Sequence, residues 1–218
     1  MGRFFNIDSP LMRGMSKVAD LMVLNLLVII CCIPIVTIGA ALSAMHYVLI
    51  KMNKDEGSYI AKMFFTSFKD NLLQGTILWI INVVGIILFS YDVYVFFFAA
   101  NTMPPLVLIF VLVVGVLFVM TTIYFYPLQA RFINPVGKTI RNAFFVMILN
   151  FPKSILIILV YAVPCAMILL TSYFIPIVFL FGITVPGYIA VKLYSKVFAR
   201  IEPKEADITE DMDFHIQE

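Results

Sequence analysis

Charged residues are scarce in this sequence. Lys, Arg, Asp and Glu make up 13% of its 218 residues, whereas 62% of the residues are hydrophobic and the mean hydropathy is +1.03. Soluble domains carry about a quarter charged residues, so a soluble fold of this size could not cover so much apolar surface. Long apolar runs are instead stable as helices in a lipid bilayer. The composition therefore predicts an all-α, polytopic transmembrane helical bundle.

Residues that carry catalysis or bind metals are also scarce. The sequence has three cysteines and two histidines, without a Cys/His spacing typical of a metal site. The predicted spans contain no phosphate loop, His-Glu-x-x-His motif or pair of carboxylates. We therefore expect a protein that is not an enzyme, with no metal site, no cofactor and no nucleic-acid partner.

The 15 basic residues fall into four clusters, separated by stretches that carry almost no charge. The clusters lie at 3–17, 51–69, 131–153 and 192–204. A spanning helix needs about 20 apolar residues, at a rise of about 1.5 Å each. The stretches between the last three clusters therefore predict two helical hairpins in a single membrane domain, residues 1–201. Their expected segments are about 73–97 with 105–128, and about 154–173 with 176–192.

The stretch 21–50 leaves two topologies open. Cytoplasmic loops are rich in Lys and Arg, so we expect both hairpins to begin and end in the cytoplasm, with the C-terminus inside. The basic N-terminal cluster also indicates the inside, yet 30 residues are too few for two complete spans. Pro34 breaks or kinks the helix near the middle of the stretch. Either 21–50 is a re-entrant pair of half-helices with the N-terminus inside, or it is one kinked span with the N-terminus outside.

Amphipathic segments flank the predicted spans, and a helix with one apolar and one basic face favours the membrane interface. Ser9-Pro10 predicts the start of the first such helix. The apolar stripes are Leu11, Met15, Val18 and Met22; Ile60, Phe64 and Phe68; and Ile140, Phe144 and Ile148. The second and third stripes align at an offset of 80 residues. This suggests two parallel repeats, each an interfacial helix followed by a hairpin, although any basic amphipathic segment beside a span would look similar. The acidic tail, 202–218, is predicted to be disordered.

Polar residues in the broken first segment are the candidate binding site. Ionisable and strongly polar side chains within membrane segments are often functional. If the chain folds back at Pro34, then Asp20, Asn25, Thr37 and freed backbone carbonyls could line one polar pocket. The alternative is that Asn25 and Thr37 only join neighbouring helices by hydrogen bonds. Four basic residues of the amphipathic helices are the candidate contacts to lipid or partner proteins: Lys62, Lys69, Lys138 and Arg141.

The N-terminal third resembles a bacterial family. The resemblance rests on Phe4-Phe5, residues 9–13, Ala19-Asp20-Leu21, residues 24–27, the segment from Cys32 to Ala40, Tyr47-Val48, Asp55-Glu56-Gly57, Phe68-Lys69 and residues 76–79. These residues are similar to the YesL family, an integral membrane domain of unknown function (domain of unknown function 624). The resemblance implies a small protein of the bacterial inner membrane, encoded beside carbohydrate ABC importers and two-component regulators. It identifies no catalytic residue.

Three functions remain as hypotheses. The first is a non-enzymatic accessory or regulatory protein that contacts a carbohydrate ABC importer or a sensor kinase. The second is a transporter or permease subunit whose site lies at the broken first segment, and the third is a membrane enzyme. The small number of polar residues in the spans favours the accessory role, because a transporter is expected to carry more ionisable groups near the middle of the membrane.

Overall fold

The computed structural model describes residues 10–56, 59–98, 104–132 and 134–201. The described residues form ten α-helices and two short 3₁₀ turns, without a β-strand. The helices are α1 (Pro10–Cys32), α2 (Ile38–Asn53), α3 (Ile60–Asp70), α4 (Leu72–Phe98), α5 (Pro105–Thr122), α6 (Phe125–Arg131), α7 (Val136–Leu149), α8 (Phe151–Leu170), α9 (Ile175–Phe181) and α10 (Thr184–Ile201). Five segments are long and apolar enough to cross a membrane, or up to six if α9 and α10, bent by 49°, count as one span. The predicted all-α, polytopic membrane fold is confirmed.

The two predicted hairpins correspond to α4 with α5–α6, and to α8 with α9–α10. Helices α4 and α5 are antiparallel, since Gly85 lies against Phe118 while Gly115 lies against Phe89. Two of the four segments contain a break that the sequence did not reveal. One separates α5 from α6, and the other separates α9 from α10. Neither break contains a proline.

The N-terminal segment folds back on itself at residues 33–37. Lys17 Nζ, early in α1, lies 2.8 Å from the Asp55 carboxylate, just beyond the end of α2. One kinked span would place these groups at opposite ends, so the chain reverses its direction here. Each of the two helices is nevertheless long and apolar enough to cross a membrane, so they are not the short half-helices of the re-entrant alternative, and our expectation that the stretch is too short for two spans was wrong. Helix α1 also runs without interruption from Pro10 to Cys32. The amphipathic stretch near the N-terminus is therefore the first part of a membrane helix, and our expectation of a separate interfacial helix was wrong.

The turn at Pro34 is held together by Thr37. Pro34 has an extended backbone (φ −74°, ψ 111°), which ends α1 before a short 3₁₀ turn leads into α2. The Thr37 hydroxyl donates to the carbonyl oxygens of Cys31 at 2.7 Å and Pro34 at 2.8 Å. The first bond gives the Cys31 carbonyl, at the end of α1, a partner that the helix itself does not supply. The Pro34 carbonyl also accepts from the Thr37 N–H at 3.0 Å. Pro34 thus marks a complete reversal of the chain.

Helix α2 forms the centre of the fold. It packs against α1, α3, α4, α6 and α10, and most of its side chains are buried. Small residues allow this close packing. A Cβ atom at Gly75 of α4 would lie 2.7 Å from the Ala40 nitrogen and 2.9 Å from the Gly39 carbonyl carbon. The α2–α4 crossing therefore brings backbone against backbone, an arrangement that only glycine permits.

Helix α3 packs its apolar stripe against α1 and α2. Ile60 and Phe64, which we expected to meet lipid or a partner, are buried against the core. The helix runs back beside α2, so the start of α4 lies next to the start of α2. Its 11 residues span about 16 Å at the usual helical rise. The basic residues of the cluster at 51–69 are therefore spread along this distance.

Helix α7 leaves most of its predicted apolar stripe exposed, as we expected for a surface that meets lipid or a partner. Its buried residues are Thr139, Ala143, Val146 and Met147, whereas Phe144 and Ile148 are exposed. The apolar stripe that we predicted for this helix therefore faces outward.

The buried positions of α3 and α7 match at an offset of 79 residues, one fewer than the predicted offset of 80. Ile60, Phe64 and Ser67 of α3 correspond in spacing to Thr139, Ala143 and Val146 of α7. At the same offset, an asparagine ends each helix and donates to the carbonyl four residues before it. Asn71 bonds to Ser67 at 2.8 Å, and Asn150 bonds to Val146 at 3.1 Å. Each helix is followed at once by a long apolar helix, which supports a parallel repeat in a corrected register.

The predictions for Ser9 and for the acidic tail at 202–218 lie outside the described residues.

Candidate functional site

Asn25 is fully buried, and its side chain replaces backbone hydrogen bonds that are missing at the break between α9 and α10. Its Nδ2 donates to the Phe179 carbonyl at 2.8 Å, and its Oδ1 accepts from the Ile183 N–H at 3.1 Å. In an uninterrupted helix these two backbone groups would bond to each other. Oδ1 also accepts from the Thr184 N–H at 3.1 Å and from the Thr184 hydroxyl at 3.3 Å. The whole amide thus stabilises a helix break inside an apolar segment, where an unsatisfied backbone group is costly.

The other candidate residues do not join Asn25 in one pocket. Thr37 and Pro34 form the turn that follows the C-terminal end of α1, whereas Asp20 lies near the middle of that helix. Asp20 is partly buried on α1. The larger cavities of the fold are lined by other residues. For Asn25 and Thr37, the contacts favour the structural alternative over ligand binding.

A polar cavity of about 610 Å³ lies between α2, α3, α4 and α6. Ligand sites are usually clefts of about 300–1,000 Å³, so its size suits a small molecule. The lining is Tyr47 of α2; Met63, Thr66, Ser67 and Asp70 of α3; Asn71 and Gln74 at the start of α4; and Gln129, Ala130, Arg131 and Phe132 at the end of α6. Two other cavities, beside α8–α10 and between α4 and α5, have almost wholly apolar linings.

Side-chain amides form one wall of the polar cavity. Gln129 Nε2 donates to Gln74 Oε1 at 2.5 Å and to Asn71 Oδ1 at 3.1 Å. Asn71 Nδ2 donates in turn to the backbone and side-chain oxygens of Ser67. These hydrogen bonds determine which atom of each amide is the nitrogen and which is the oxygen. Gln129 is only 7% exposed, and among the described residues its Oε1 has no hydrogen-bond partner.

The lining of the cavity also includes one acidic and one basic side chain. Asp70 ends α3, and its carboxylate makes no hydrogen bond or ion pair with another described residue. Arg131 ends α6, and its guanidinium carbon lies 6.0 Å from the centre of the Phe132 ring and 5.6 Å from that of Phe198. These rings hold the guanidinium in place by cation–π attraction. The arrangement is suited to binding a polar molecule.

A second group of polar side chains is buried in the core. His46 Nδ1 lies 2.9 Å from the Tyr194 hydroxyl, joining α2 to α10, and the Tyr124 hydroxyl lies 2.9 Å from that of Ser154. Each pair satisfies polar atoms that would be costly to bury alone. We assign them to packing between helices.

The four basic residues predicted to contact lipid or a partner are all exposed. Both α3 and α7 also carry an exposed aromatic residue beside their two basic residues. On α3, Lys62, Phe65 and Lys69 follow one another at helical spacing on the outer face. On α7, Arg141 lies over the ring of Phe145 at 5.7 Å, with Lys138 one turn earlier. We call these two surfaces the basic–aromatic stripes of α3 and α7.

Sequence reasoning missed the polar cavity because its residues are far apart in the chain. Gln74 and Gln129 lie at the two ends of a predicted hairpin, which places them on the same side of the membrane, but the hairpin alone does not show which side chains meet. A signal was nevertheless present: polar residues at the first turn of one span and the last turn of the next.

Comparison with protein families gives a match over part of the chain. The family described as "Protein of unknown function, DUF624" matches residues 21–93, about a third of the chain. This segment contains α2, α3 and most of α1 and α4, and hence much of the polar cavity. Comparisons with curated proteins and with solved structures give no match.

Proposed function

We propose that this protein is a non-enzymatic accessory or regulatory protein of the bacterial inner membrane, which acts by contact with other membrane proteins. The observation that carries the proposal is the pair of basic–aromatic stripes on α3 and α7. In both helices one face is packed against the fold while the stripe faces outward. Exposed aromatic side chains with cations beside them are typical of protein interfaces and of anionic membrane surfaces.

The proposed partners follow from the YesL-like resemblance. It suggests that they are subunits of a carbohydrate ABC importer, or the sensor kinase that controls one. The basic residues of both stripes favour a cytoplasmic position for these surfaces, because Lys and Arg are retained on that side. The same rule favours a cytoplasmic C-terminus, after the basic end of α10.

Charge reversal tests this proposal. Lys62→Glu with Lys69→Glu should abolish co-purification of the importer or kinase subunit in mild detergent, as should Lys138→Glu with Arg141→Glu. The control is Lys153→Glu, a basic residue outside both stripes, which should leave co-purification unchanged. Retention of the partner by both double variants, with normal membrane insertion, would contradict the proposal.

Transport remains the rival proposal. The broken first segment was its expected site, but Asn25 is occupied in bonds to the backbone of α9 and α10. The polar cavity is the alternative site for a transported solute. Purified protein in liposomes should show no solute flux if it is an accessory protein, whereas flux by the protein alone would favour transport whatever co-purifies with it.

A further inference from the structure

An apolar cavity of about 230 Å³ lies between α8, α9 and α10, beside the break that Asn25 stabilises. Its lining comes from residues 160–167 of α8 and residues 177–189 on both sides of the break. The part in α8 lies inside the apolar segment Phe151–Leu170, so the cavity is at the depth of the lipid tails. Apolar cavities of about 150 Å³ bind molecules the size of benzene, and this one can therefore hold a short hydrocarbon chain.

One backbone group at this cavity has no hydrogen-bond partner. Asn25 satisfies three backbone groups at the break, but it does not reach the Gly182 carbonyl. In a continuous helix that carbonyl would accept from the N–H of residue 186, which is a proline and has none. No other described residue donates to it. Because Gly182 has no side chain, it lines the cavity with its backbone.

The wall formed by α8 has a similar feature. Pro164 lies inside this helix and has no N–H, so the Val160 carbonyl, one turn earlier, lacks its usual helical donor. Both residues line the cavity. Water is absent at this depth, and an unpaired carbonyl is costly there. No side chain of the lining is a hydrogen-bond donor, so the cavity combines apolar walls with acceptors that the protein itself does not satisfy.

We propose that this cavity binds an apolar alcohol: a molecule dissolved in the membrane whose hydrocarbon part fills the cavity and whose hydroxyl group donates to the Gly182 carbonyl. The acyl chains of phospholipids can fill such a space, but they carry no donor and would leave the carbonyl unpaired. A charged ligand does not suit the site, because nothing in the lining would compensate for its desolvation. The site is separate from both basic–aromatic stripes and goes beyond the proposed function.

Photolabelling of the purified full-length protein in a neutral detergent tests the site. The probe is octanol that carries a photoreactive diazirine, and the labelled peptides are identified by mass spectrometry. We expect saturable labelling within 160–167 and 177–189. At equal concentrations in the micelles, octanol should compete about fivefold better than octyl methyl ether, which has no hydroxyl group. A factor of about five corresponds to one hydrogen bond between uncharged groups.

Filling the cavity provides the first variant. Val163→Phe places a larger side chain in the lining and should abolish the saturable labelling. Val113→Phe is the matched control, because Val113 lies on α5, away from this cavity, and its exposure is nearly the same, 53% against 54% for Val163. The control should leave the labelling unchanged.

Pro186→Ala tests the role of the carbonyl. An alanine at this position supplies the N–H that can pair with the Gly182 carbonyl, and it adds no bulk to the cavity. The labelling should persist, but octanol and octyl methyl ether should now compete equally. If this variant does not fold, the comparison of the two competitors on the wild type still decides whether the hydroxyl group matters.

Four results would overturn the inference. Labelling that does not saturate, or that Val163→Phe leaves unchanged, would contradict a site in this cavity. Equal competition by octanol and its ether on the wild type would show a space for hydrocarbon chains of any kind. A preference for octanol that survives Pro186→Ala would exclude the Gly182 carbonyl as the acceptor. None of these results depends on a partner protein, so the inference and the proposed function stand or fall separately.

Discussion

Replacing Asn25 should destabilise the fold, because its amide joins α1 to the break between α9 and α10. The informative change is Asn25→Leu, which keeps a similar volume and removes every hydrogen bond of the side chain. It leaves the Phe179 carbonyl and the N–H groups of Ile183 and Thr184 without their partner. All three groups lie in an apolar segment, where water cannot replace the lost bonds.

The size of the effect follows from these bonds. The loss of a helix cap usually costs about 1 kcal/mol, and a hydrogen bond between membrane helices averages about 0.6 kcal/mol. Asn25 supplies both a cap to α10 and two further bonds, to Phe179 and to the Thr184 hydroxyl. We therefore expect Asn25→Leu to lower the free energy of unfolding by about 2 kcal/mol. Thr184→Val, which removes only a hydroxyl, should cost about half as much.

The assay is unfolding of the purified protein by SDS in mixed micelles, followed by the fluorescence of Trp79, the single tryptophan. Asn142→Leu is the control, since Asn142 is exposed on α7. If Asn25→Leu unfolds within about 0.5 kcal/mol of the wild type, a typical limit for surface changes, the structural role is refuted. Loss of function at unchanged stability would then favour a ligand-binding role for Asn25.

Three further predictions concern packing and the turn. Gly75→Ala should impair folding by about 1–3 kcal/mol, because its Cβ would strike the backbone of α2, whereas Gly137→Ala, in open space, should be neutral in the same unfolding assay. Pro34→Ala should leave membrane insertion intact but change protease access near residues 33–38, and unchanged access would show that the proline is dispensable for the turn. Tyr194→Phe should lower the unfolding midpoint by leaving His46 without its partner; an unchanged midpoint would mean that the bond contributes nothing.

Charge and apolar length were enough to predict the long helices. The expected segment at 73–97 differs from α4 by one residue at each end, and Pro34 falls in the turn between α1 and α2. Both features arise locally, from a run of apolar residues or from a proline that cannot continue a helix.

The packing faces of α3 and α7 could not be predicted in the same way. Phe64 and Phe144 occupy similar places in their sequence patterns, yet the first is buried and the second is exposed. An amphipathic pattern shows that a helix has two faces, but which face meets protein and which meets lipid depends on neighbours distant in the chain. In a membrane protein both environments are apolar, so hydrophobicity does not separate them.

The role of Asn25 was hidden for a similar reason. The break at which its bonds act lies more than 150 residues away, between α9 and α10. Gly182 at this break is a common residue at a helix end, but the local sequence does not link it to Asn25. The polar cavity likewise depends on Gln74 meeting Gln129. A polar residue in a membrane segment indicates a partner, but only the fold tells whether that partner is the protein's own backbone or a ligand.

Photo-crosslinking in cells tests most directly whether the basic–aromatic stripes meet partner proteins. A photoreactive phenylalanine analogue would replace Phe65 on α3 or Phe145 on α7, with Phe110, exposed on α5, as the control position. We predict crosslinks from positions 65 and 145, but not from 110, to an importer subunit or sensor kinase identified by mass spectrometry. These crosslinks should disappear in the charge-reversal variants. Crosslinks to lipid alone from both stripes, or equal protein crosslinks from position 110, would contradict the account.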